Sequence, residues 1–343
     1  MSDIVRVLLA GAGRAGMVHG RNLAAGVPGG KLVGVADPDA AARERAAVEL
    51  GCEVALDDPE RAVQRDDVDA VVIATPTFAH AAIATAALDA GKHVLCEKPI
   101  AANQEDARKI AGAAQGSSAQ FLMGFMRRFD DGFVSAAQQI QAGAIGTPVL
   151  VRSTGRGPGL PPEWAWDTSR SGGLIAEVNS HDLDACRWFS RQEFVSVYAT
   201  ARAAKRPDIA ERHPGFYDVV AAVFDLSEGC IATVDGACPA DYGYDARVEV
   251  YGTEGTLLLG SPIAPGPVVI RSEGATRDPV RSWRDLFVDA YRAEVAHLVG
   301  VARGDEAPRT TIEDGLRALE AVLAVNASIQ ERRTVSIEEA RIT

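Results

Sequence analysis

The sequence predicts an α/β protein with an N-terminal doubly wound parallel sheet of Rossmann type and a C-terminal α+β domain with an open, mainly antiparallel sheet. Strand-like and helix-like segments alternate over the first 125 residues, which is typical of a parallel sheet with helices on both faces. A glycine-rich turn follows the first strand-like segment. Later in the chain, several short strand-like segments are separated by Gly and Pro, which favours an antiparallel or mixed sheet.

Length and composition indicate two folded domains. Because about 150 residues per domain is a common size, the 343 residues predict two domains, and the change in segment pattern places them at 1–125 and 126–343. Hydrophobic residues make up 47% of the chain and charged residues 24%, which excludes a disordered chain and a coiled coil. The net charge of −12 argues against binding to nucleic acid or to an anionic membrane, because such binding needs clustered Lys and Arg.

The cysteines and the N-terminus predict a cytoplasmic protein. The five cysteines include no C-x-x-C pair, so neither a metal site nor a disulfide framework is expected. The apolar segment near the N-terminus is interrupted by Arg6 and continues into glycines, so no signal peptide is expected. The sequence contains no stretch of about 18 uncharged apolar residues, which is the length that a membrane-spanning helix needs.

The first domain is predicted from the order of its segments. The predicted strands are residues 4–10, 31–36, 69–74, 93–96 and 120–125, and the predicted helices are residues 17–25, 40–50, 79–90 and 103–114, with Asn103 as an N-cap. Ligands of doubly wound sheets bind at the carboxyl ends of the strands. We therefore expect Thr75 and Pro76, and also residues 97–99, to line the cofactor site, since each group follows a predicted strand.

The glycine-rich turn predicts a dinucleotide site. The segment Gly-Ala-Gly-Arg-Ala-Gly begins at Gly11, between the first strand and the first helix. In this pattern Gly11 permits the tight turn, Gly13 lets the main chain approach a pyrophosphate, and Gly16 lets the helix pack on the strand. Arg14 and Ala15 open the helix, whose N-terminal N–H groups favour phosphate.

Asp37 predicts a preference for NAD over NADP. It ends the second strand, 21 residues after Gly16, close to the usual spacing of about 20. A carboxylate here accepts hydrogen bonds from the adenosine ribose and repels a 2′-phosphate. NADP remains possible because Arg43 lies six residues further along the chain.

The second domain is predicted to hold the substrate against the nicotinamide. Its predicted strands are residues 148–154, 195–201, 217–225, 230–235, 247–251, 256–259 and 268–271, and its predicted helices are residues 130–142, 181–189, 283–303 and 312–332. Residues 155–173 are rich in Gly, Pro and Trp, and are predicted to form a loop over the site.

Taken in order, these motifs resemble the Gfo/Idh/MocA oxidoreductase family over nearly the whole chain. The matching segments are the glycine-rich turn with His19, residues 74–76 with His80, residues 91–99 (Gly-Lys-His-Val-Leu-Cys-Glu-Lys-Pro), and Gly172-Gly173 followed by His181, Asp182 and Asp184. Residues 124–130 and 242–250 are most similar to the inositol 2-dehydrogenase branch of the family.

The resemblance implies NAD-dependent oxidation of a secondary hydroxyl of a cyclic polyol or sugar, such as an inositol. The catalytic residues that it implies are Lys98, Glu177 and His181, although the family usually has Asp where this chain has Glu177. His181 is expected to take the proton, since an unperturbed imidazole titrates near pH 6.5. Glu177 would orient the imidazole, and Lys98 would donate a hydrogen bond to the reacting oxygen.

The resemblance also implies the binding residues. Those expected at the cofactor are Gly11, Gly13, Arg14, Ala15, Gly16, Asp37, Thr75, Pro76, His80, Glu97 and Lys98, and those expected at the substrate are Arg127, Trp166, Tyr242 and Tyr244. Trp164 shares the loop of Trp166. Tyr291 and Glu294 resemble a family segment near the substrate pocket, and Phe287 stands where relatives often have tyrosine.

Other functions and an assembly state stay open at this point. A keto-sugar reductase of a biosynthetic pathway, an NAD-dependent glycosidase and a non-catalytic NAD(P)-binding regulator are the alternatives. Lys98 and His181 argue against a regulator, which needs no proton acceptor. A homodimer or homotetramer is expected, because the open sheet of the second domain needs cover.

Overall fold

A computed structural model, which describes residues 4–342, places the first six strands in one parallel sheet. The strands are β1 (Val5–Ala10), β2 (Gly30–Ala36), β3 (Ala55–Leu56), β4 (Ala70–Ile73), β5 (His93–Glu97) and β6 (Phe121–Gly124), and the helices are α1 (Arg14–Ala24), α2 (Ala40–Leu50), α3 (Pro59–Ala62), α4 (His80–Asp89) and α5 (Gln104–Gly116). The strand order is β3-β2-β1-β4-β5-β6. The predicted parallel sheet is confirmed, and its order reverses between β1 and β4, where such sheets bind ligands.

Burial and side-chain caps explain these elements. All residues of β4 are fully buried, as expected for a parallel strand that is covered on both faces. Asn103 accepts a hydrogen bond from the N–H of Asp106 at 2.9 Å, which confirms the predicted cap of α5. Strand β3 and helix α3 were not predicted, because segments of two and four residues carry no recognisable periodicity.

The second sheet is mainly antiparallel, as predicted. The remaining elements are α6 (Asp131–Gln141), β7 (Pro148–Arg156), α7 (Thr168–Ser171), α8 (Gly173–Glu177), α9 (Ser180–Ser190), β8 (Phe194–Arg202), α10 (Pro207–Arg212), β9 (Val219–Leu226), β10 (Ile231–Ala237), β11 (Asp245–Gly252), β12 (Thr256–Leu259), β13 (Val269–Arg271), β14 (Gly274–Thr276), α11 (Trp283–Leu286), α12 (Val288–Arg303), α13 (Ile312–Glu331) and β15 (Val335–Ser336). The seven strands run in the order β12-β11-β7-β10-β9-β8-β15, in which β7 and β10 are parallel. Strands β13 and β14 form a separate hairpin.

Helices cover one face of the second sheet. Both α8 and α9 pack against its strands. Strand β9 shows the consequence, since its residues alternate between exposed and buried from Val219 to Leu226. The buried set contains Val220 and Phe224, whereas Val223 is half exposed. The sheet therefore has one core face and one open face.

Two predicted segments differ from the structure. Residues 283–303 form two helices, α11 and α12, because the main chain at Phe287 leaves the helical conformation. Phe287 itself is buried. The predicted loop at 155–173 contains a 3-10 turn at 163–166 and the short helix α7.

The described chain divides into two units that interleave in sequence. The first unit contains residues 4–129, 288–319 and 342, and the second contains residues 130–287 and 320–341. This differs from the predicted division at residue 125, because α12 belongs to the first unit. Its apolar residues Val295 and Leu298 join the core formed by β1 and β2. None of the helices within residues 4–342 combines the length and apolar character that a membrane span requires.

Candidate active site

The glycine-rich turn has the geometry of a phosphate cradle. Gly11 has a φ of +97°, which favours glycine, and a Cβ there would lie 2.6 Å from the main-chain carbon of Ala74. A Cβ at Gly16 would collide with the carbonyl oxygen of Gly11, whereas the position of a Cβ at Gly13 has no atom within 4 Å. Gly11 and Gly16 therefore hold the turn against its neighbours, and Gly13 leaves open space at the start of α1. This arrangement fits a pyrophosphate.

Asp37 is fixed beside this turn at the end of β2. Its Oδ2 accepts a hydrogen bond from the N–H of Ala12 at 2.7 Å, and its Oδ1 accepts one from Asp39 at 2.8 Å. Each carboxylate oxygen keeps a second lone pair for a ribose hydroxyl. Arg43 donates to the main-chain oxygen of Asp37 at 2.7 Å, so its guanidinium is engaged at the same strand end. These residues fit the adenosine half of NAD.

His80 joins the loops that follow β4 and β5. Its Nδ1 lies 2.9 Å from the carbonyl oxygen of Pro99, and its Nε2 lies 3.0 Å from that of Thr75. The ring is buried. Burial lowers the pKa of His80, and the two carbonyl groups oppose that change. Both ring nitrogens are therefore engaged with the loops at the strand ends, and contact of His80 with the cofactor stays a prediction.

Glu97 is the last residue of β5, and both of its carboxylate oxygens are hydrogen-bonded to other groups of the protein. Its Oε1 lies 2.8 Å from Nε2 of His19 on α1, and its Oε2 accepts a hydrogen bond from the main-chain N–H of Lys98 at 3.3 Å. These bonds orient the main chain that carries Lys98, and the contact of Glu97 with the cofactor stays a prediction. The peptide bond that follows, between Lys98 and Pro99, is cis, and Lys98 is partly exposed.

A second carboxylate, that of Glu294 on α12, lies beside Glu97 and His19. One ligand atom from each of these three residues lies within 4.8 Å of the other two, and all three residues are buried. The ring of Tyr291 packs edge-on against His19 with 5.3 Å between the ring centroids. His19, Glu97 and Glu294, here called the first-unit cluster, have side chains of the types that bind metals, whereas the sequence predicted no metal site.

Glu177 and His181 occur in one short segment of the second unit. Glu177 is the last residue of α8 and is partly exposed, and His181 lies in the first turn of α9 with 5% of its surface exposed. Gly172 and Gly173 precede them with φ values of +79° and +80°. Two successive left-handed residues strongly favour glycine, which gives the Gly-Gly motif a conformational reason.

A buried polar cluster fixes the helix that carries His181. The carboxylate of Asp182 accepts hydrogen bonds from the hydroxyl of Ser153 at 2.7 Å and from Nδ2 of Asn179 at 2.9 Å. A Cβ at Gly155 would collide with Asp182, and one at Gly236 would collide with Asn179. Ser153, Asn179 and Asp182 form the second-unit cluster. Ser153 and Asn179 were not predicted from the sequence, although a glycine inside a strand often marks such a close approach.

The predicted substrate residues differ in how much of each side chain is exposed. Tyr242 is 44% exposed and donates to Asp245 at 2.8 Å, whereas Tyr244 is 7% exposed and Arg127 is 2% exposed. Burial raises the pKa of Tyr242, and the hydrogen bond to Asp245 raises it further. The indole N–H of Trp166 donates to a main-chain oxygen at 3.2 Å, as in loop anchoring.

Arg156 and Asp235 form a further charged pair in the second unit. Arg156, at the end of β7, donates through Nε to Asp235 of β10 at 2.9 Å. The hydroxyl of Thr154 also donates to Asp235, at 2.7 Å. The sequence did not single out this pair, because β7 and β10 become neighbours only in the folded sheet.

Family models match both parts of the chain. The model described as "Oxidoreductase family, NAD-binding Rossmann fold" matches residues 5–125, and the model described as "GFO/IDH/MocA C-terminal domain" matches residues 133–258.

Curated relatives match over nearly their full lengths. A scyllo-inositol 2-dehydrogenase (NAD(+)) of Bacillus subtilis is 31% identical, with 99% of this chain and 98% of that protein covered. An inositol 2-dehydrogenase of Rhizobium meliloti is 35% identical, with 97% and 99% covered.

Solved structures show the same architecture. A putative myo-inositol dehydrogenase from Sinorhizobium meliloti has a TM-score of 0.90 and 34% identity, with 97% of this chain and 99% of that chain covered. A scyllo-inositol dehydrogenase from Lactobacillus casei with bound NAD(H) and scyllo-inositol has a TM-score of 0.88 and 31% identity, with 98% and 99% covered.

Proposed function

The chain belongs to the Gfo/Idh/MocA oxidoreductase family, and from this premise we propose that it oxidises one secondary hydroxyl of an inositol or a related cyclic polyol. The family and its NAD-binding first domain confirm the predicted cofactor and enzyme class. The observation that carries the choice of substrate is the full-length match to relatives named as inositol dehydrogenases. The Lactobacillus casei structure, which holds NAD(H) and scyllo-inositol, supports the same substrate class.

Lys98 is proposed to stabilise the reacting oxygen. Bound NAD supplies the acceptor for the hydride that leaves the carbinol carbon. Lys98 follows β5 at the carboxyl end of the parallel sheet, which is where such sheets bind their ligands. Its ammonium group would donate a hydrogen bond to the hydroxyl oxygen as alkoxide character develops. The bond from the Lys98 N–H to Glu97 supports this role, since it restrains the main chain there.

His181 is proposed to accept the hydroxyl proton, and Glu177 is proposed to orient the imidazole. The oxidation releases one hydride and one proton, so it needs a base. The second-unit cluster supports the role of His181, because Asp182 is the next residue and is tied to Ser153. The additional methylene of Glu177, relative to the usual Asp, keeps the carboxylate type while changing its reach.

The polyol is proposed to be recognised by hydrogen bonds from several side chains. Tyr242 has the most exposed ring among the predicted substrate residues, and its bond to Asp245 holds the phenol in place. Arg127, Trp166 and Tyr244 are proposed to act mainly on the shape of the site, because their side chains are buried or anchored by a hydrogen bond.

An assay of oxidation tests the proposed function. The protein is incubated with NAD and myo-inositol, scyllo-inositol, chiro-inositol or glucose, and NADH is followed by its absorbance. NADH formation with at least one inositol is expected. No NADH with any polyol, together with NADH consumption when only a keto-sugar is supplied, would establish the reductase alternative instead. NAD binding without either reaction would establish the regulator.

We also propose that the protein is a homodimer or homotetramer that covers the open face of the second sheet. One row of Cα partners runs across this face from Tyr198 to Val223 and continues to Leu258 on β12. These three side chains are 49%, 50% and 73% exposed. Thr233 and the ion pair of Arg152 with Glu249 lie between Val223 and Leu258, so the row is of mixed polarity, as in many interfaces between subunits. Light scattering should give at least twice the chain mass, and Val223→Lys should reduce it; a monomeric wild type contradicts the assembly.

A further inference from the structure

Glu294 is a buried acidic residue to which the proposed reaction assigns no role. It lies on α12 with 0% of its surface exposed, and neither of its carboxylate oxygens has a hydrogen-bond partner within the described chain. An ionised carboxylate without donors is costly to bury, whereas the neutral acid is far less so. The position therefore favours the protonated form.

The groups around Glu294 reinforce this preference. Glu97 on β5 is the nearest acid, and His19 on α1 is hydrogen-bonded to Glu97 rather than to Glu294. Burial raises the pKa of Glu294 well above its usual value, and the charge of Glu97 raises it further. Burial also opposes ionisation of Glu97, but the bond to His19 and the nearby charges outweigh it, so the net direction of the Glu97 pKa is downward.

The remaining charged groups on neighbouring elements leave this assignment unchanged. The 3-10 turn at residues 126–129 packs on α12 and carries Arg127 and Arg128. Arg128 is paired with Asp314 at 3.0 Å. The charge that acts on the pKa of Glu294 is that of Glu97. Tyr291, on the same helix, contacts His19 through the edge of its ring.

The distances favour a proton over a metal ion in the first-unit cluster. Two ligands of a tetrahedral zinc, each about 2.0–2.1 Å from the ion, lie roughly 3.3 Å apart. The Nε2 of His19 lies 2.8 Å from Oε1 of Glu97, which is the length of a direct charge-assisted hydrogen bond. No ion can lie between two atoms that share a proton in this way.

We propose that Glu294 is a positioning residue for Lys98, and that it does this by remaining the neutral acid beside an ionised Glu97. With a single negative charge in the pair, Glu97 keeps both of its bonds, one with His19 and one with the N–H of Lys98. A second charge would repel Glu97 in this buried site. The inference rests on the proposed function for the role of Lys98, whereas the protonation state of Glu294 is independent of it.

The protonation state determines how stability changes with pH. The folded protein keeps a proton on Glu294 that the unfolded chain releases above about pH 4.3. The contribution of Glu294 to the stability of the wild type therefore falls as the pH rises from about 4.3 towards the raised pKa of the folded state. Glu294→Gln cannot titrate and keeps the size and neutrality of the protonated acid. Its Tm should exceed that of the wild type by an amount that grows with pH, reaching roughly 2 °C or more at pH 8.

A matched control is available in the second unit. Glu320 is also fully buried, but its Oε2 is paired with Nη1 of Arg341 at 3.3 Å. Glu320→Gln should lower the Tm over the whole range from pH 5 to pH 8, because Arg341 loses the buried charge with which it is paired. A similar drop with Glu294→Gln would overturn the proposal, since it would mean that Glu294 is ionised and bound to donors.

Kinetics test the positioning role. Glu294→Ala should lower kcat on the order of tenfold, with a smaller effect on the Kd of NAD, and Glu294→Gln should restore most of the loss. The alkaline limb of the kcat profile should move to higher pH in Glu294→Gln, because the second charge can no longer form. Equal kcat values for Glu294→Ala and wild type would overturn the positioning role.

Two measurements distinguish failure of the proposed function from failure of the protonation assigned to Glu294. If the wild type oxidises no polyol, the proposed function fails, while the Tm series still decides the protonation of Glu294. Metal analysis of the purified protein is the second. One equivalent of zinc or another transition metal per chain, lost in Glu294→Gln, would overturn the assignment of a proton.

Discussion

The two buried polar clusters stabilise a buried carboxyl group in different ways. In the second-unit cluster, Asp182 is an ionisable side chain that receives hydrogen bonds from Ser153 and Asn179. In the first-unit cluster, the carboxylate of Glu97 is bonded to the imidazole of His19, whereas that of Glu294 has no hydrogen-bond partner among residues 4–342. Donor side chains satisfy the carboxylate of Asp182, whereas a proton keeps that of Glu294 neutral. Geometry near Lys98 should therefore depend on pH.

Removing the residue that the first-unit cluster positions should have the largest effect. Lys98→Ala should lower kcat roughly 10²–10³-fold, because one oriented donor to the reacting oxygen is lost. The Kd of NAD, measured by fluorescence titration, should change little. Lys92→Ala is the control, since Lys92 precedes β5 and lies at its opposite end. Unchanged kcat in Lys98→Ala would remove Lys98 from the proposed mechanism.

Breaking the second-unit cluster should mainly cost stability. Asp182→Ala leaves the hydroxyl of Ser153 buried without its acceptor and removes the nearest of the three acceptors of the Asn179 amide, which should lower the free energy of unfolding by about 3 kcal/mol. Urea unfolding measures this change. The matched control is Asp225→Ala, whose carboxylate accepts from the hydroxyl of Ser196 at 2.9 Å on the exposed face. A loss as small in Asp182→Ala as in the control would contradict the comparison.

A glycine substitution tests the packing of the same cluster without removing a charge. Gly236→Ala should lower the free energy of unfolding by about 1–3 kcal/mol, because its Cβ would collide with Asn179. Gly112→Ala, in α5, has no atom within 4 Å of its Cβ. That control should gain about 0.5–1 kcal/mol from helix propensity. If both variants behave alike in thermal unfolding, the contact between Gly236 and Asn179 has no energetic role.

The smallest expected effect concerns the cofactor preference of the first unit. Asp37→Ser removes the charge that repels a 2′-phosphate and should lower the ratio of kcat/KM for NAD over NADP on the order of tenfold. Asp39→Ser is the control, because serine also caps α2. A wild type that prefers NADP would show that Asp37 does not act on the 2′ position.

Local patterns were sufficient for most of the first sheet and for the cofactor turn. β4 is a continuous apolar segment, α2 begins after a capping Asp39, and the glycine spacing at residues 11–16 sets one turn geometry. Each of these signals depends on residues that are close in the chain. The same holds for Gly172 and Gly173, whose left-handed conformations fix the segment before His181.

Contacts between distant residues were not available from such patterns. The sequence placed α12 in the second domain, yet its buried residues Val295 and Leu298 complete the core of the first unit. Nothing near position 294 indicates that its carboxylate lies beside Glu97, nearly 200 residues earlier in the chain. Nor does the sequence pair Gly155 with Gly236, which become neighbours only through the parallel register of β7 and β10.

The sequence by itself therefore determined the family, the NAD-binding turn, the two kinds of sheet and the candidate residues Lys98, Glu177 and His181. The tertiary structure alone decided which buried groups hold the main chain near those residues. The physical reason is that helix caps, turns and apolar periodicity are local interactions, whereas burial and the charge of a neighbouring group depend on the folded arrangement. Glu294 illustrates the difference, since its acidic side chain is visible in the sequence and its protonation follows from its surroundings.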